Sequence, residues 1–107
     1  MARAIGTILL TWILAAFAAS AQEFSLVIRD HRFEPAEIHV PADKRVSLTV
    51  SNEDATAEEF DSTALKVEKV IAGRSRALIR IGPLTAGRYE FIGEFHADTA
   101  KGVVIVE

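Results

Sequence analysis

The residues of this sequence that can do chemistry are imidazoles and carboxylates, because the chain has three histidines, fifteen acidic residues and no cysteine. Glu94 precedes His96 by two positions, so both side chains share a face if a strand continues through them. Five acids crowd into the segment from Glu53 to Asp61. Carboxylates held this closely repel one another, and a bound cation relieves the repulsion. This donor set indicates a metal site with nitrogen and oxygen ligands.

The N-terminus is typical of a secretory signal peptide. Arg3 is followed by an uncharged stretch from Ala4 to Gln22, which contains the small-x-small pattern Ala19-Ser20-Ala21. A retained membrane anchor is the alternative, since the uncharged run is about as long as a bilayer-spanning helix. We expect cleavage after Ala21, which leaves residues 22–107 as one domain in the periplasm.

The expected mature chain is acidic. Without Arg3 it keeps eleven basic and fifteen acidic residues, a net charge of about −4, and its basic residues are scattered. This composition argues against nucleic acid as a partner. The sequence has no Ser-His-Asp context and no glycine-rich phosphate loop, so it gives no indication of a hydrolase or a transferase.

Short segments with apolar residues at a period of two cover most of the mature chain and predict strands. Turn-forming residues separate them, as in Pro41-Ala42-Asp43 and Gly82-Pro83, and Thr63 to Lys66 has room for one helical turn. Strands at this spacing predict an all-β sandwich or barrel. The predicted strands include Phe24–Arg29, Glu37–Val40, Val46–Val50, Ala77–Ile81, Tyr89–Phe91 and Val103–Val106.

A motif near the C-terminal end is similar to one found in cupredoxins. It reads Gly87-x-Tyr89-x-Phe91-x-Gly93-x-x-His96 and is followed by Gly102-x-x-Ile105-Val106. Upstream, the segment from Leu48 to Asn52 resembles the strand that leads into the first copper-ligand loop of that family. The resemblance implies that residues 22–107 form a cupredoxin-like Greek-key β-sandwich.

The same motif departs from blue-copper proteins at the metal-binding positions. Gly93 stands where the resemblance places the copper-binding cysteine, Glu58-Glu59-Phe60 stands where it places the first histidine, and no methionine follows Met1. A blue-copper centre needs a thiolate, two imidazoles and a weak axial donor. We therefore expect no type 1 copper, but a site of carboxylates and imidazole that suits iron, manganese or copper(II).

Four segments of the mature chain form a more specific pattern. They are Phe33-Glu34-Pro35-Ala36-Glu37-Ile38, Glu58-Glu59-Phe60-Asp61-Ser62, Glu68-Lys69-Val70 and Gly93-Glu94-Phe95-His96-Ala97-Asp98-Thr99-Ala100. The pattern resembles the FtrB-type proteins, which are cupredoxin-like periplasmic partners of bacterial iron permeases. The cupredoxin domain of EfeO is a more distant relative, and its cysteines at the positions of Phe33 and Gly93 are absent here. The resemblance implies iron uptake together with an inner-membrane iron permease and associated periplasmic proteins, with copper as a catalytic or competing ion.

His96 and Glu59 are the leading metal ligands, because both fall where the cupredoxin resemblance places ligands. Glu94 offers a carboxylate beside His96. His31 lies in a polar break after the first strand, at the end where the loops of cupredoxins meet the ligands. Glu68 is the last candidate, and its alternative is an exposed strand residue paired with a cation.

Three functions are open at the level of the sequence. The leading hypothesis is a periplasmic protein that binds iron, with or without a ferroxidase-type step, and passes it to the permease. The second is a metal-free β-sandwich that serves as adaptor of a membrane transport complex, with the acidic segment as docking surface. The third is a copper(II)-binding periplasmic protein, against which the lack of a methionine-rich tract counts. A homodimer in which a second subunit completes the site is a further alternative.

Overall fold

The computed structural model describes Gly6 and residues 21–107, and residues 22–106 of this part form nine strands and one 3₁₀ turn. The predicted signal peptide, residues 1–21, lies outside the described residues except for Gly6 and Ala21. Within the described part, no helix has the length and apolar character needed to cross a membrane. The elements are β1 (Gln22–Arg29), β2 (Arg32–Glu34), β3 (Glu37–Val40), β4 (Val46–Asn52), β5 (Glu58–Ser62), β6 (Val67–Ile71), β7 (Arg76–Ile81), β8 (Gly87–Gly93), the 3₁₀ turn Glu94–His96 and β9 (Lys101–Val106).

The strands form two sheets. The four-stranded sheet has the order β2-β1-β4-β7, and the five-stranded sheet has the order β3-β9-β8-β5-β6. β1 pairs in parallel with β4, and β3 pairs in parallel with β9, whereas the other neighbours are antiparallel. The chain changes sheet repeatedly, as between β3 and β4 and again between β4 and β5. The predicted all-β sandwich is confirmed.

Alternation along the strands determines which side chains fill the space between the sheets. The apolar residues of β4 from Val46 to Val50 are buried, as the period-two pattern predicts. The rings of Phe60 and Phe91 stack with centroids 4.8 Å apart, and Phe33 meets them edge-on at 5.9 and 4.9 Å. Both arrangements are favoured aromatic geometries. Because Phe60 is two residues from Glu58, this cluster anchors the strand that leads out of the acidic segment.

The end of β8 differs from the expectation. The strand stops at Gly93 and Glu94–His96 forms a 3₁₀ turn, so the strand that would place Glu94 and His96 on one face does not continue through them. The reason lies in the backbone hydrogen bonds of the loop. The Gly93 N–H donates to the carbonyl oxygen of Ala100 (2.8 Å), and the Ala100 N–H donates to that of His96 (2.8 Å). These two bonds close the chain into a tight loop before β9 begins.

Two short segments also differ from what the sequence predicts. Thr63 to Lys66 forms a turn, in which the Lys66 N–H donates to the Thr63 carbonyl at 3.3 Å, and not a helical turn. β2 has three residues, too few to show a period, and no strand was predicted there. It pairs with β1 across a two-residue turn made of Asp30 and His31.

Candidate metal centre

Asn52 organises the acidic loop that leads into β5. This side chain is 2% exposed, and its Nδ2 donates to the carbonyl oxygens of Thr56 (2.9 Å) and Ile71 (3.1 Å). Its Oδ1 accepts the N–H of Asp54 at 3.0 Å. A buried amide with all these partners fixes the course of the loop. The positions of Asp54 and Glu58 are therefore set by the core of the sandwich.

Glu58, at the start of β5, carries a buried carboxylate, with 1% of its side chain exposed. Its Oε1 accepts the backbone N–H groups of Glu59 (3.0 Å) and Phe95 (2.9 Å), and its Oε2 lies 2.5 Å from Nδ1 of His96. Three donors offset the cost of burying the carboxylate. Because an ionised carboxylate can only accept hydrogen bonds, the Nδ1–H of His96 is assigned as the donor in this contact. With this tautomer, Nε2 is the ring nitrogen that can bind a metal.

Gly93 leaves the space that the Glu58 carboxyl group occupies. A Cβ at position 93 would lie 2.6 Å from Cδ of Glu58 and 2.6 Å from Cβ of Ala100, closer than side-chain atoms approach one another. The cupredoxin resemblance places the copper-binding cysteine at this position. A type 1 copper centre does not fit the site, because the chain has no thiolate and the Glu58 carboxyl group closes the position where one would lie.

His96 ends the 3₁₀ turn and has 24% of its side chain exposed. One edge of its ring is bonded to Glu58, so the edge that carries Nε2 faces away from this carboxylate. The ring also stacks on His31, with centroids 3.5 Å apart and planes 12° from parallel. The imidazole is therefore oriented both by a hydrogen bond in its plane and by a contact on its face.

His31 reaches His96 from the turn between β1 and β2. The carboxylate of Asp54 accepts the backbone N–H groups of Asp30 (2.8 Å) and His31 (3.0 Å), and Oγ1 of Thr99 donates to the carbonyl oxygen of His31 (2.6 Å). The bond from the His31 N–H is the main cause that holds the pKa of Asp54 below its ordinary value. Asp54 thus acts as an ionised acceptor that ties this turn to the acidic loop.

The acidic rim, as we call Glu59, Asp61, Glu68 and Glu94, is a group of carboxylates whose charges act together on Glu59. Phe60 points into the core, so Glu59 and Asp61 project from the outer face of the sheet, where Asp61 is opposite Glu68 of β6. Desolvation raises the pKa of Glu59, and the charges of Glu68, Asp61 and Glu94 raise it further. The rim carboxylates are therefore close enough to repel one another.

The structure divides the five predicted ligands into two groups. It brings His96 and His31 into contact, and it places Glu59, Glu68 and Glu94 in the acidic rim. Among the described residues, no three His, Asp or Glu side chains are arranged to hold one ion. The described residues form an oriented pair of imidazoles that is bonded to Glu58 and Asp54. They do not form a closed coordination cage.

Sequence reasoning gave too little weight to two residues at this site. Glu58 is the buried partner of His96, and its burial was readable from the strand, since a residue two positions before the core residue Phe60 shares its face. Asp54 is the acceptor that holds the His31 turn. No local pattern marks Asp54, because its partners lie 23 and 24 residues away in sequence.

Solved structures with this fold include copper proteins. Auracyanin A, a blue copper protein from Chloroflexus aurantiacus, aligns with a TM-score of 0.70 and 14% identity, over 82% of this chain and 100% of that one. The metal binding domain of the Cu(I) exporting P-type ATPase CopA from Streptococcus pneumoniae D39 aligns with a TM-score of 0.68 and 19% identity, over 83% and 92%. Identities this low show a shared fold alone.

Comparisons of sequence are more specific. The uncharacterized protein RP394 of Rickettsia prowazekii (strain Madrid E) is 40% identical over 84 residues, which cover 78% of this chain and 67% of that protein. The family described as cupredoxin-like domain matches residues 2–106. With the two-sheet sandwich described above, this match assigns the chain to its family: it belongs to the cupredoxin-like domain family.

Proposed function

We propose that this protein binds iron or copper(II) at His96 in the periplasm and passes the ion, as cargo, to an inner-membrane iron permease. The hydrogen bond between the buried Glu58 carboxylate and His96 carries this proposal. Histidines that bind metals almost always donate their second ring N–H to a carboxylate, a carbonyl oxygen or a water. Such a bond fixes the tautomer and raises the basicity of the nitrogen that faces the metal.

Glu58 is well suited to this orienting role because its own position is fixed. Two backbone N–H groups, from Glu59 and Phe95, hold one carboxylate oxygen and leave the other to His96. The face of the His96 ring is held by His31. A ligand that is already oriented loses little conformational entropy when a metal binds, so the affinity of each contact is larger.

The acidic rim supports the proposal through its charge. The raised pKa of Glu59 reports repulsion from Glu68, Asp61 and Glu94 in addition to desolvation, and a nearby cation reduces that repulsion. In our proposal Glu59, Glu94 and Glu68 attract the ion, and an oxygen from one of them joins His96 in binding it. Mixed oxygen and imidazole donors suit iron and copper(II) and lack the soft sulfur that copper(I) prefers.

The open arrangement favours transfer over storage. Among the described residues no three donors converge, so an ion held at His96 keeps coordination positions for water or for a donor from a partner. A partner can then remove the ion by ligand exchange without unfolding the site. The periplasmic location and the permease partner rest on the N-terminal signal-peptide pattern and on the resemblance to FtrB-type proteins.

Calorimetric titration of the purified protein with copper(II), and with iron(II) in the absence of oxygen, tests the proposal. His96→Ala should weaken binding at least about tenfold, which corresponds to about 1.4 kcal/mol. His39→Ala is the matched control, because it removes an exposed imidazole that is also bonded to a glutamate, Glu107. Equal affinity of the parent and His96→Ala for both ions would overturn the proposal, and so would an intensely blue copper(II) complex.

A metal-free adaptor is the second candidate, and the hydrogen bonds around Glu58 favour it. Both carboxylate oxygens already have donors, and in the described part of the chain no buried side-chain nitrogen or oxygen lacks a partner. The core therefore needs no ion to satisfy its polar groups. For an adaptor, the acidic rim is the docking surface, and the titrations return no binding that depends on His96.

A further inference from the structure

The turn between β1 and β2 has both of its residues in the left-handed region of backbone conformation, which most residues other than glycine avoid. Asp30 and His31 have φ values of 52° and 57°, and they form the whole connection, since Arg29 pairs with Arg32. Two-residue turns with positive φ at both positions usually carry Asn-Gly, because glycine has no Cβ to clash. Disfavoured backbone conformations persist where the surrounding structure holds them, and they cluster at functional sites.

Side chains from two distant segments hold the backbone of His31. Asp54, from the acidic loop, accepts its N–H at 3.0 Å and the N–H of Asp30 at 2.8 Å. Thr99, from the loop after His96, donates to its carbonyl oxygen at 2.6 Å. Both polar backbone groups of His31 are thus fixed by residues that lie 23 and 68 positions away. Such long-range bonds specify the position of this residue in the fold.

The ring of His31 is held differently from its backbone. The ring stacks on that of His96, with centroids 3.5 Å apart and planes 12° from parallel, and among the described residues no hydrogen bond reaches its ring nitrogens. Because the two planes are nearly parallel, the in-plane lone pairs of the two rings run side by side and do not converge. An ion shared by both imidazoles therefore requires the His31 ring to turn while its backbone stays fixed.

We propose that Asp54 is a positioning residue, supported by Thr99, that holds His31 beside His96 as the second imidazole of the metal site. The inference rests on the proposed function, in which His96 binds the ion. It adds that the ion takes two imidazoles, and that a carboxylate which never touches the ion sets the affinity through the backbone of His31. Loss of Asp54 should then have the same effect on metal binding as loss of the His31 ring.

Copper(II) serves as the probe, with affinity from calorimetry and the number of bound imidazoles from pulsed electron paramagnetic resonance. The parent should show two imidazole nitrogens. His31→Asn, which keeps a residue that tolerates positive φ, and Asp54→Ala should each show one, with affinity about tenfold lower. In the His31→Asn background, Asp54→Ala should cost no further affinity, because a residue that acts through His31 has no effect without it.

Glu53→Gln is the matched control for charge. It removes a carboxylate next to Asp54 that accepts hydrogen bonds from Arg29, whereas the backbone of His31 is bonded to Asp54 and Thr99, so it should keep two imidazoles and near-parental affinity. Thr99→Val, which removes the hydroxyl donor and keeps the shape, gives a second, milder variant in case Asp54→Ala does not fold. It should weaken binding less than Asp54→Ala and in the same direction.

A measurement without metal separates this inference from the proposed function. Nuclear Overhauser contacts between the rings of His31 and His96 should be present in the parent and lost in Asp54→Ala. If the parent binds no copper(II), the proposed function fails. If the parent binds copper(II) through one imidazole, or Asp54→Ala keeps two imidazoles and parental affinity, the present inference fails while the proposed function stands.

Discussion

In the described part of the chain, two histidine–glutamate pairs have similar contact distances but different surroundings. Nδ1 of His96 lies 2.5 Å from a carboxylate oxygen of Glu58, and Nδ1 of His39 lies 2.6 Å from one of Glu107. The first pair has 24% and 1% of its side chains exposed, whereas the second has 53% and 68% exposed. His39 also lies 3.6 Å from Glu37 on the same strand.

Burial, and not the length of the contact, decides how much such a pair contributes to stability. Water screens the exposed pair and solvates each partner when the contact opens, so the contact contributes little to stability. The buried carboxylate has no water to replace a lost donor, so removing one of its three donors leaves its charge less well compensated. The exposed pair is a surface contact between β3 and the last residue, whereas the buried pair joins β5 to the loop after β8.

The largest effect is expected from removing the charge of Glu58. Glu58→Gln keeps the size of the side chain but directs an amide N–H at one of three existing donors, so the free energy of unfolding should fall by about 3 kcal/mol. Glu107→Gln, the matched change in the exposed pair, should lower the unfolding midpoint only slightly. Urea denaturation followed by circular dichroism measures both. Equal destabilisation by the two variants would contradict the role that we assign to burial.

Gly93→Ala tests the space around the buried pair and should have the next largest effect. The added Cβ would lie 2.6 Å from Cδ of Glu58 and from Cβ of Ala100, and overpacking of this kind costs about 1–3 kcal/mol. Adding Ala100→Gly to this variant removes one of the two close contacts, so it should recover part of the loss and not all of it. Full recovery in the double variant would show that Glu58 can move aside, which contradicts a fixed carboxylate.

The sandwich could be predicted from the sequence because most strands have one buried face. Val46 to Val50 and Ala77 to Ile81 alternate, and both form strands of the four-stranded sheet. The features that sequence analysis missed depend on contacts between distant residues. The 3₁₀ turn Glu94–His96 belongs to a loop closed by Gly93 and Ala100. β2 is defined by its pairing with β1 across a two-residue turn.

The residue types of the candidate site could be predicted from the sequence, but the contacts between these residues could not. The sequence shows two adjacent glutamates, Glu58 and Glu59, and the phase of the strand decides which of them is buried. Gly93 indicates missing side-chain volume, but only the fold shows that Glu58 fills it. The contact of Asp54 with His31 spans 23 residues, so no local pattern contains it.

Glu59→Gln tests the difference between Glu58, whose carboxylate has three donors, and its neighbour Glu59, whose carboxylate has no donor in the described part of the chain. The pKa of Glu59 is raised above 4.5, by desolvation first and then by Glu68, Asp61 and Glu94, so the ionised form is disfavoured in the folded state. The variant should therefore be more stable than the parent above that raised pKa. The gain should vanish as pH falls below about 4.5, where the parent is protonated in both states. Urea denaturation across this pH range measures the gain, and a gain that is independent of pH would contradict a charge effect.

The smallest expected effect concerns the pH dependence of the exposed pair. The hydrogen bond to Glu107 is the main cause that raises the pKa of His39 above 6.5, so the folded state binds this proton more tightly than the unfolded state does. The stability that the pair contributes is therefore fully present below about pH 6.5 and is lost as pH rises through the raised pKa. Glu107→Gln should be slightly less stable than the parent at about pH 6 and equal to it at about pH 9.

High salt should shrink the difference at the lower pH, because an exposed pair is screened. Parallel urea titrations at the two pH values measure the effect, and a difference that persists at the higher pH would show that Glu107 acts through packing and not through the charge of His39.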